Sequence, residues 1–257
     1  MKTGTLMELN ANLKALNLST VARNLEVTLR QARESGIGYD DFLLELTAAE
    51  LQARAENSLN RRVREAKFPL FKPVETFDLS SASGLDLRLF RDLVGGGYIK
   101  ERKNVIFLGL SGRGKTHMAT GLGIEACKNK YRTRFVTCYG LVNELIEARQ
   151  ERGLQRLLQR YARYDLLILD ELGYIPFSKE GSELLFQVLA ERHERGSVMI
   201  TTNLGFADWT QVFGDPVMTA ALLDRITHKA HIINCDWDSY RLKQSIMEKG
   251  KRGRKET

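Results

Sequence analysis

The segment Gly109-Leu-Ser-Gly-Arg-Gly114-Lys115-Thr116 constrains this chain more than any other part of it. It matches G-x-x-x-x-G-K-[ST] without a departure. An apolar run, Val105-Ile-Phe-Leu108, precedes it, and the helix-compatible residues 117–128 follow. In that order, strand, loop and helix turn successive backbone N–H groups inward as an anion nest and aim the positive end of the helix at the same point. Gly109, Ser111, Gly112, Arg113, Gly114, Lys115, Thr116 and His117 are therefore expected to surround a bound ATP. Lys115 is expected to place its charge on the β- and γ-phosphates. The Thr116 hydroxyl is expected to ligate Mg2+, which takes oxygen ligands in near-octahedral geometry. Arg113 belongs to the loop, but its side chain has no evident task there and is expected to face solvent rather than a neighbouring subunit.

From about residue 80, helical stretches alternate with short apolar runs at 105–108, 134–137, 166–169, 198–201 and 231–233. Five such runs separated by helices predict an α/β domain with a five-stranded, mostly parallel sheet. Leu166-Leu-Ile-Leu169 reads as a buried central strand and ends in Asp170 and Glu171. Both carboxylates then fall at the C-terminal edge of the sheet, where open α/β sheets bind ligands. Asp170 suits a place behind the Mg2+. Glu171, one residue on, points elsewhere and can polarise a water for attack on the γ-phosphate. Asn203 ends a further strand and can orient that water, although Asn is common at strand ends for turn reasons alone. In Ala220-Ala-Leu-Leu-Asp224-Arg225, an apolar helix closes on a charged pair. Arg225 either stabilises charge on a transferring phosphoryl group, in its own or an adjacent subunit, or pairs with Asp224 at the surface to little energetic effect. His228 and His231 sit three apart without a third ligand nearby, so no metal site is assigned to them.

Residues 1–67 read as a helical domain. Leu6, Leu9, Leu13 and Leu16 recur at helical spacing. Ser19 or Thr20 can cap a second helix that Gly36 ends. Asp40 or Asp41 can cap a third, long one that turns basic toward Arg64. Residues 68–80 contain Pro69 and Pro73, lose periodicity and read as a linker. The α/β domain is expected over 81–245, with a basic tail at 246–257.

The net charge of +7 is compatible with nucleic acid. Arg156, Arg160 and Arg163 share one face of a predicted helix, opposite Leu154, Leu157, Leu158 and Tyr161. Arg149 and Arg152 lie just before it. This stripe, the junction with Arg61 and Arg62, and the tail are competing candidates for contact with DNA phosphates; a solvated face is the alternative for each. Aromatics do not interleave regularly with these residues, which favours duplex backbone contact over single-strand stacking. No apolar run approaches the ~20 residues of a membrane span. The N-terminal MKTGTLMELN has no apolar block. Cys127, Cys138 and Cys235 form no C-x-x-C pair. A cytoplasmic protein without membrane contact is expected.

The segments GLSGRGKTHMA, DLLILDELGYIPFSKEGSELLFQVLAERHERGSVMITTNLGFADWTQVFGD, AALLDRITHKAHII and SYRL closely resemble the IstB-like ATPases. These are helper subunits of bacterial insertion-sequence transposition and AAA+ proteins related to the DnaC helicase loaders. The resemblance covers nearly the whole chain; the motifs in residues 165–215 are specific to the group, the phosphate loop is not. It implies an AAA+ P-loop NTPase with a three-layer αβα domain, preceded by a small all-α domain for oligomer or partner contacts. The strand before Asn203 would lie between the strand before the phosphate loop and the one ending in Asp170. Residues 109–116 would be Walker A, Asp170 and Glu171 Walker B, and Asn203 sensor 1. Arg225 would be an arginine finger acting on a neighbour's ATP. Too little chain follows Ile233 for a full helical lid, so the lid is expected to be truncated or absent, with Arg241 as a sensor-like charge.

The implied activity is ATP hydrolysis with Mg2+ by a homo-oligomer holding ATP at its subunit interfaces. It would assemble on duplex DNA, recruit the transposase of the same element and disassemble on hydrolysis through Glu171. A helicase loader acting on a replicative helicase is the nearest rival and would prefer single strands. A small-molecule P-loop kinase would instead transfer phosphate to a metabolite. A nucleotide-gated DNA-binding protein without turnover would have no use for the second carboxylate.

Overall fold

Amphipathic stretches at the start of the chain form three helices, α1 (Thr3–Ala15), α2 (Ser19–Ser35) and α3 (Tyr39–Ala66), in a computed structural model that describes residues 3–239. The chain divides into two compact units between Arg61 and Arg62. In the first, Leu13, Val21, Leu25 and Leu46 bury one another, with Leu6, Leu18, Leu29 and Phe42 packed around them. Gly36 ends α2 at φ 63, a left-handed conformation that costs glycine nothing in sterics.

The start of α2 departs from the expected cap by Ser19 or Thr20. Leu18 occupies the N-cap position without a side-chain hydrogen bond. The carboxylate of Glu50, buried on α3, accepts from the N–H groups of Thr20 (2.9 Å) and Val21 (3.2 Å) instead. A carboxylate at a helix N-terminus satisfies orphan donors and the helix dipole together. Arg54 Nε donates to the other Glu50 oxygen at 2.8 Å, and its Nη2 donates to the carbonyl of Asn17 at 2.6 Å. Asp40 and Asp41 lie inside the first turn of α3 rather than ahead of it.

In the second unit, residues 68–80, expected as a linker, carry two 3-10 turns, Val74–Thr76 and Leu79–Ser81, laid against the α/β core. Phe68, Val74 and Phe77 pack on that core. The following elements are α4 (Leu87–Val94), α5 (Gly97–Lys100), β1 (Asn104–Leu108), α6 (Lys115–Lys128), β2 (Thr133–Thr137), α7 (Cys138–Gln150) and α8 (Leu154–Ala162). Then come β3 (Leu166–Leu172), α9 (Lys179–Arg192), β4 (Ser197–Thr202), α10 (Trp209–Phe213), α11 (Pro216–Thr227) and β5 (Ala230–Asn234). The strands form one sheet in the order β2-β3-β4-β1-β5, and every pair is parallel. Alternation along the strands feeds two cores. Ile106, Leu167, Leu169, Val198 and Ile200 face the side covered by α7 to α11. Val105, Phe107, Leu166, Ile168 and Met199 face the side covered by α4, α6 and residues 68–80. Three layers result.

Cys127, Cys138 and Cys235 are free and buried. No helix among the described residues is long and apolar enough to cross a membrane. The segment where a lid is expected to be truncated or absent, Arg241 and the basic tail fall outside the described residues.

Glu50 yields the first test. The hydrogen bond from Arg54, and then the two backbone donors, hold its carboxyl below the ordinary value of 4.5. A depressed carboxyl stabilises the fold above its unfolded pKa and loses that contribution as pH falls through the folded one. Glu50→Ala is therefore expected to speed amide exchange at Thr20 and Val21 at neutral pH, with the difference from wild type vanishing in acid. Hydrogen exchange on the full chain checks both.

Candidate functional site

The loop between β1 and α6 is shaped by glycines where side chains would collide. Gly109 has φ 144 and Gly114 φ 82. A Cβ at 109 would lie 2.5 Å from the carbonyl oxygen of Cys235, and one at 114 would lie 2.7 Å from the Phe77 ring. The loop starts from a fixed point, because Gly109 N–H donates to the carbonyl of Thr202 at 3.2 Å and Cys235 N–H to that of Leu108 at 2.6 Å. Lys115, 7% exposed, bends back so that its Nζ donates to the carbonyls of Gly109 (2.6 Å) and Leu110 (2.9 Å). Its charge thus sits inside the curve of the loop, at the N-terminus of α6, whose first N–H groups have no partner within the helix. Ser111 is exposed at the tip.

Arg113 corrects the expectation of a solvent-facing side chain. Its Nη1 donates to the carbonyl of Cys235 at 2.6 Å and approaches Asp236 Oδ1 at 3.3 Å. Trp237 Nε1–H returns a hydrogen bond to the Arg113 carbonyl at 3.0 Å. Arg113 therefore straps the loop to the chain leaving β5. His117 has its Nε2 3.0 Å from Thr76 Oγ1, and its ring stands edge-on to Phe77 at 5.3 Å. Burial pushes its pKa down. It ties the first turn of α6 to residues 68–80.

At the ends of β3 and β4 the two carboxylates diverge. Asp170 is 4% exposed and accepts from Thr116 Oγ1, 3.0 Å from Oδ1 and 3.2 Å from Oδ2, and from Thr201 Oγ1. Burial raises its pKa, against the hydrogen bonds from Thr201 and Thr116 and the charge of Lys115. Glu171 takes φ 61, and the register of β3 on β4 shifts between Leu169 and Leu172. A left-handed non-glycine residue costs roughly 1–3 kcal/mol and persists where its surroundings enforce it. Here Glu171 N–H donates to Thr201 Oγ1 at 3.0 Å, and its side chain is exposed. One hydroxyl thus holds both acidic residues; no local pattern singles out Thr201. Asn203 follows β4, which lies between β1 and β3. Its Oδ1 is buried without a hydrogen-bond partner, an acceptor suited to an ordered water.

These residues fit the expected ligands. A hydroxyl and a carboxylate 3.0 Å apart offer hard oxygens for Mg2+. A buried carboxylate whose charge is disfavoured gains from a cation beside it. The glycine nest with Lys115 fits a polyphosphate.

Arg225 lies elsewhere. It ends α11 at the N-terminal edge of the sheet, where Asn104 Nδ2 of β1 donates to the carbonyl of Ile226 at 2.9 Å. Its guanidinium stacks over Phe186, 4.9 Å from the ring centroid, rather than pairing with Asp224, and its Nη1 is buried without a partner. Among the basic candidates, Arg149 approaches Glu180 at 3.5 Å, and Arg160 pairs with Glu144 and lies over Tyr161. Arg61, Arg152, Arg156 and Arg163 are exposed. Two patches that compete in the sequence meet here. Arg62, Arg160 and Arg163 line one cavity of about 210 Å³ with Arg132, which the sequence reading missed.

The Thr201 network sets a measurable cost. Removing a buried hydrogen bond to a charged group costs about 1.5–3 kcal/mol. Thr201→Val is expected to lower the unfolding free energy by about that much and Thr201→Ser by less than about 1 kcal/mol, read from denaturant midpoints.

A family model described as IstB-like ATP binding protein matches residues 11–248. An insertion sequence IS21 ATP-binding protein of Pseudomonas aeruginosa is 37% identical over 237 residues, covering 92% of this chain and 89% of that protein. An insertion sequence IS232 ATP-binding protein of Bacillus thuringiensis subsp. berliner is 35% identical over 236 residues, covering 92% and 94%. Among solved structures, the DnaC helicase loader superposes with a TM-score of 0.53 at 20% identity, over 68% of this chain and 99% of that one. AMPPCP-bound DnaA from Aquifex aeolicus superposes with a TM-score of 0.55 at 17% identity, over 71% and 56%. The fold is the α/β P-loop fold of these two proteins, and the chain belongs to the family of IstB-like ATP-binding proteins.

Proposed function

We propose that this protein is an Mg2+-dependent ATPase whose site is shared between two copies of the chain, and that as an oligomer on duplex DNA it assists the transposase of an insertion sequence. The observation that carries the shared site is the separation of Arg225 from its own phosphate loop. The five residues of β1 lie between the two sheet edges, roughly 16 Å at ~3.3 Å per residue. Arg225 therefore acts on the nucleotide of a neighbour, where a guanidinium stabilises charge on the transferring phosphoryl group.

Within one subunit the nest and Lys115 bind the phosphates, and Thr116 and Asp170 hold Mg2+. Mg2+ there supplies neutralisation of phosphate charge. Glu171, aimed away from Asp170 by its left-handed backbone, is free to polarise the attacking water. Asn203 Oδ1 accepts from that water and fixes its line of approach. Arg62, Arg132, Arg160 and Arg163 form the centre of the DNA contact, with Arg149, Arg152 and Arg156 along the same unit; Arg61, in the N-terminal unit, is a separate candidate. Four guanidinium groups gathered at one cavity suit phosphates, with Tyr164 the one aromatic in its lining. The relatives are named for insertion sequences, which supports a role beside a transposase. The N-terminal helical unit and the basic tail supply partner surfaces, and the cytoplasm is the compartment.

Sedimentation with ATP–Mg2+ and either duplex or single-stranded DNA tests the proposal. Glu171→Gln is expected to lower turnover by about 100-fold or more and to trap large particles on duplex DNA. Arg225→Ala is expected to lose turnover to a similar extent and to form no such particles. Particles that form only on single strands would overturn the duplex reading in favour of a helicase loader.

A further inference from the structure

The turns that follow α9 and α11 meet at the N-terminal edge of the sheet, away from the phosphate loop. There His193, Glu194 and His228 bring one ligand atom each to within 4.8 Å of one another. The two imidazole rings lie 5.9 Å apart at 55°. His193 is already oriented, because its Nδ1 lies 3.1 Å from the carbonyl oxygen of Arg225. A carbonyl only accepts, so Nδ1 carries the proton and the lone pair sits on Nε2. Metal-binding histidines are held in this way, the far ring nitrogen donating to a backbone carbonyl. The backbone of the turn is fixed as well, since Arg102 Nη1 donates to the carbonyl of Glu194 at 2.8 Å.

We propose that His193 Nε2, the Glu194 carboxylate and a ring nitrogen of His228 form a three-ligand site for a divalent transition-metal ion of the Zn2+ type. Two imidazoles and one carboxylate are a ligand set that Zn2+ takes, with water in the fourth position. Imidazole nitrogen also separates this site from the Thr116–Asp170 pair, whose oxygens suit Mg2+. Lys229 competes for the site, its Nζ donating to Glu194 at 2.8 Å. Both partners of that pair are about half exposed, at 50% and 54%, so it stabilises the fold little and yields to a metal. Arg102 and Lys229 are cations whose side chains reach Glu194; they weaken the site, and only Lys229 engages a ligand atom, that of Glu194. Sequence spacing hides the site. The histidines adjacent in sequence are His228 and His231, but His231 belongs to β5 and stands outside the cluster. A bound ion would tie the end of α9 to the end of α11 next to Arg225, and the site stands whether or not the shared ATPase site does.

The test is a titration of the full chain, freed of metal by a chelator and of nucleotide, with Co2+ as a spectroscopic substitute. One Co2+ per chain is expected, with the strong visible bands of a four-coordinate ion, no thiolate charge-transfer band, and displacement by Zn2+. His193→Ala and His228→Ala are expected each to weaken binding by more than about 10-fold, the least that even supporting residues of metal sites cost. Glu194→Gln is expected to weaken it less, and Lys229→Ala to tighten it. Circular dichroism of each metal-free variant verifies that it is folded. Wild-type protein that takes up no Co2+, or folded histidine variants that bind as wild type does, would overturn the proposal.

Discussion

Parallel pairing of β1, β4 and β3 is the constraint on which the rest of the site depends. Parallel strands end at the same edge, so the phosphate loop, the acidic pair and Asn203 arrive side by side. The insertion of β4 between the other two puts Asn203 and Thr201 between the phosphate loop and the acids. The same pairing sends the turns before β4 and β5 to the opposite edge, with Arg225 and the histidine cluster. The phosphate loop and Arg225 therefore lie at opposite edges of the sheet of one subunit.

Three buried charged side chains show how such a site is kept folded. Each is costly to desolvate and each is met by hydrogen bonds. Lys115 rests on two loop carbonyls. Asp170 rests on two threonine hydroxyls. Arg192, 2% exposed, donates to the carbonyls of Tyr161 (2.7 Å) and Ser197 (2.9 Å), joining α9 to α8 and β4, while burial pulls its pKa down to about 10. The strain at Glu171 is of another kind. Its left-handed backbone re-aims one carboxylate away from its neighbour, so two adjacent acids stand in different surroundings, Asp170 buried and Glu171 exposed.

Much of this was legible in the sequence, and the physical reason is locality. The five strands announce themselves as apolar runs, and each proves one to three residues longer than its run. The phosphate loop and the acidic pair are contiguous motifs. Contacts between distant residues were not legible. Arg113 meets Cys235 across 122 positions, Glu50 caps a helix 30 positions away, and Thr201 reaches Asp170 across 31. Arg132 joins Arg62, Arg160 and Arg163 only because β2 begins beside the end of α8. His193 and Glu194 meet His228 only because β4 and β5 flank β1.

The most direct measurement is ATP turnover in mixtures of Glu171→Gln and Arg225→Ala proteins. Glu171→Gln subunits keep the arginine, and Arg225→Ala subunits keep the carboxylate. A site between two chains is whole when an Arg225→Ala loop meets a Glu171→Gln neighbour, roughly one interface in four by random pairing. The account predicts that the mixture turns over ATP well above either variant alone, along a curve that peaks at equal proportions. A mixture no more active than the average of its parts, or an Arg225→Ala protein that hydrolyses ATP as fast as wild type, would contradict it.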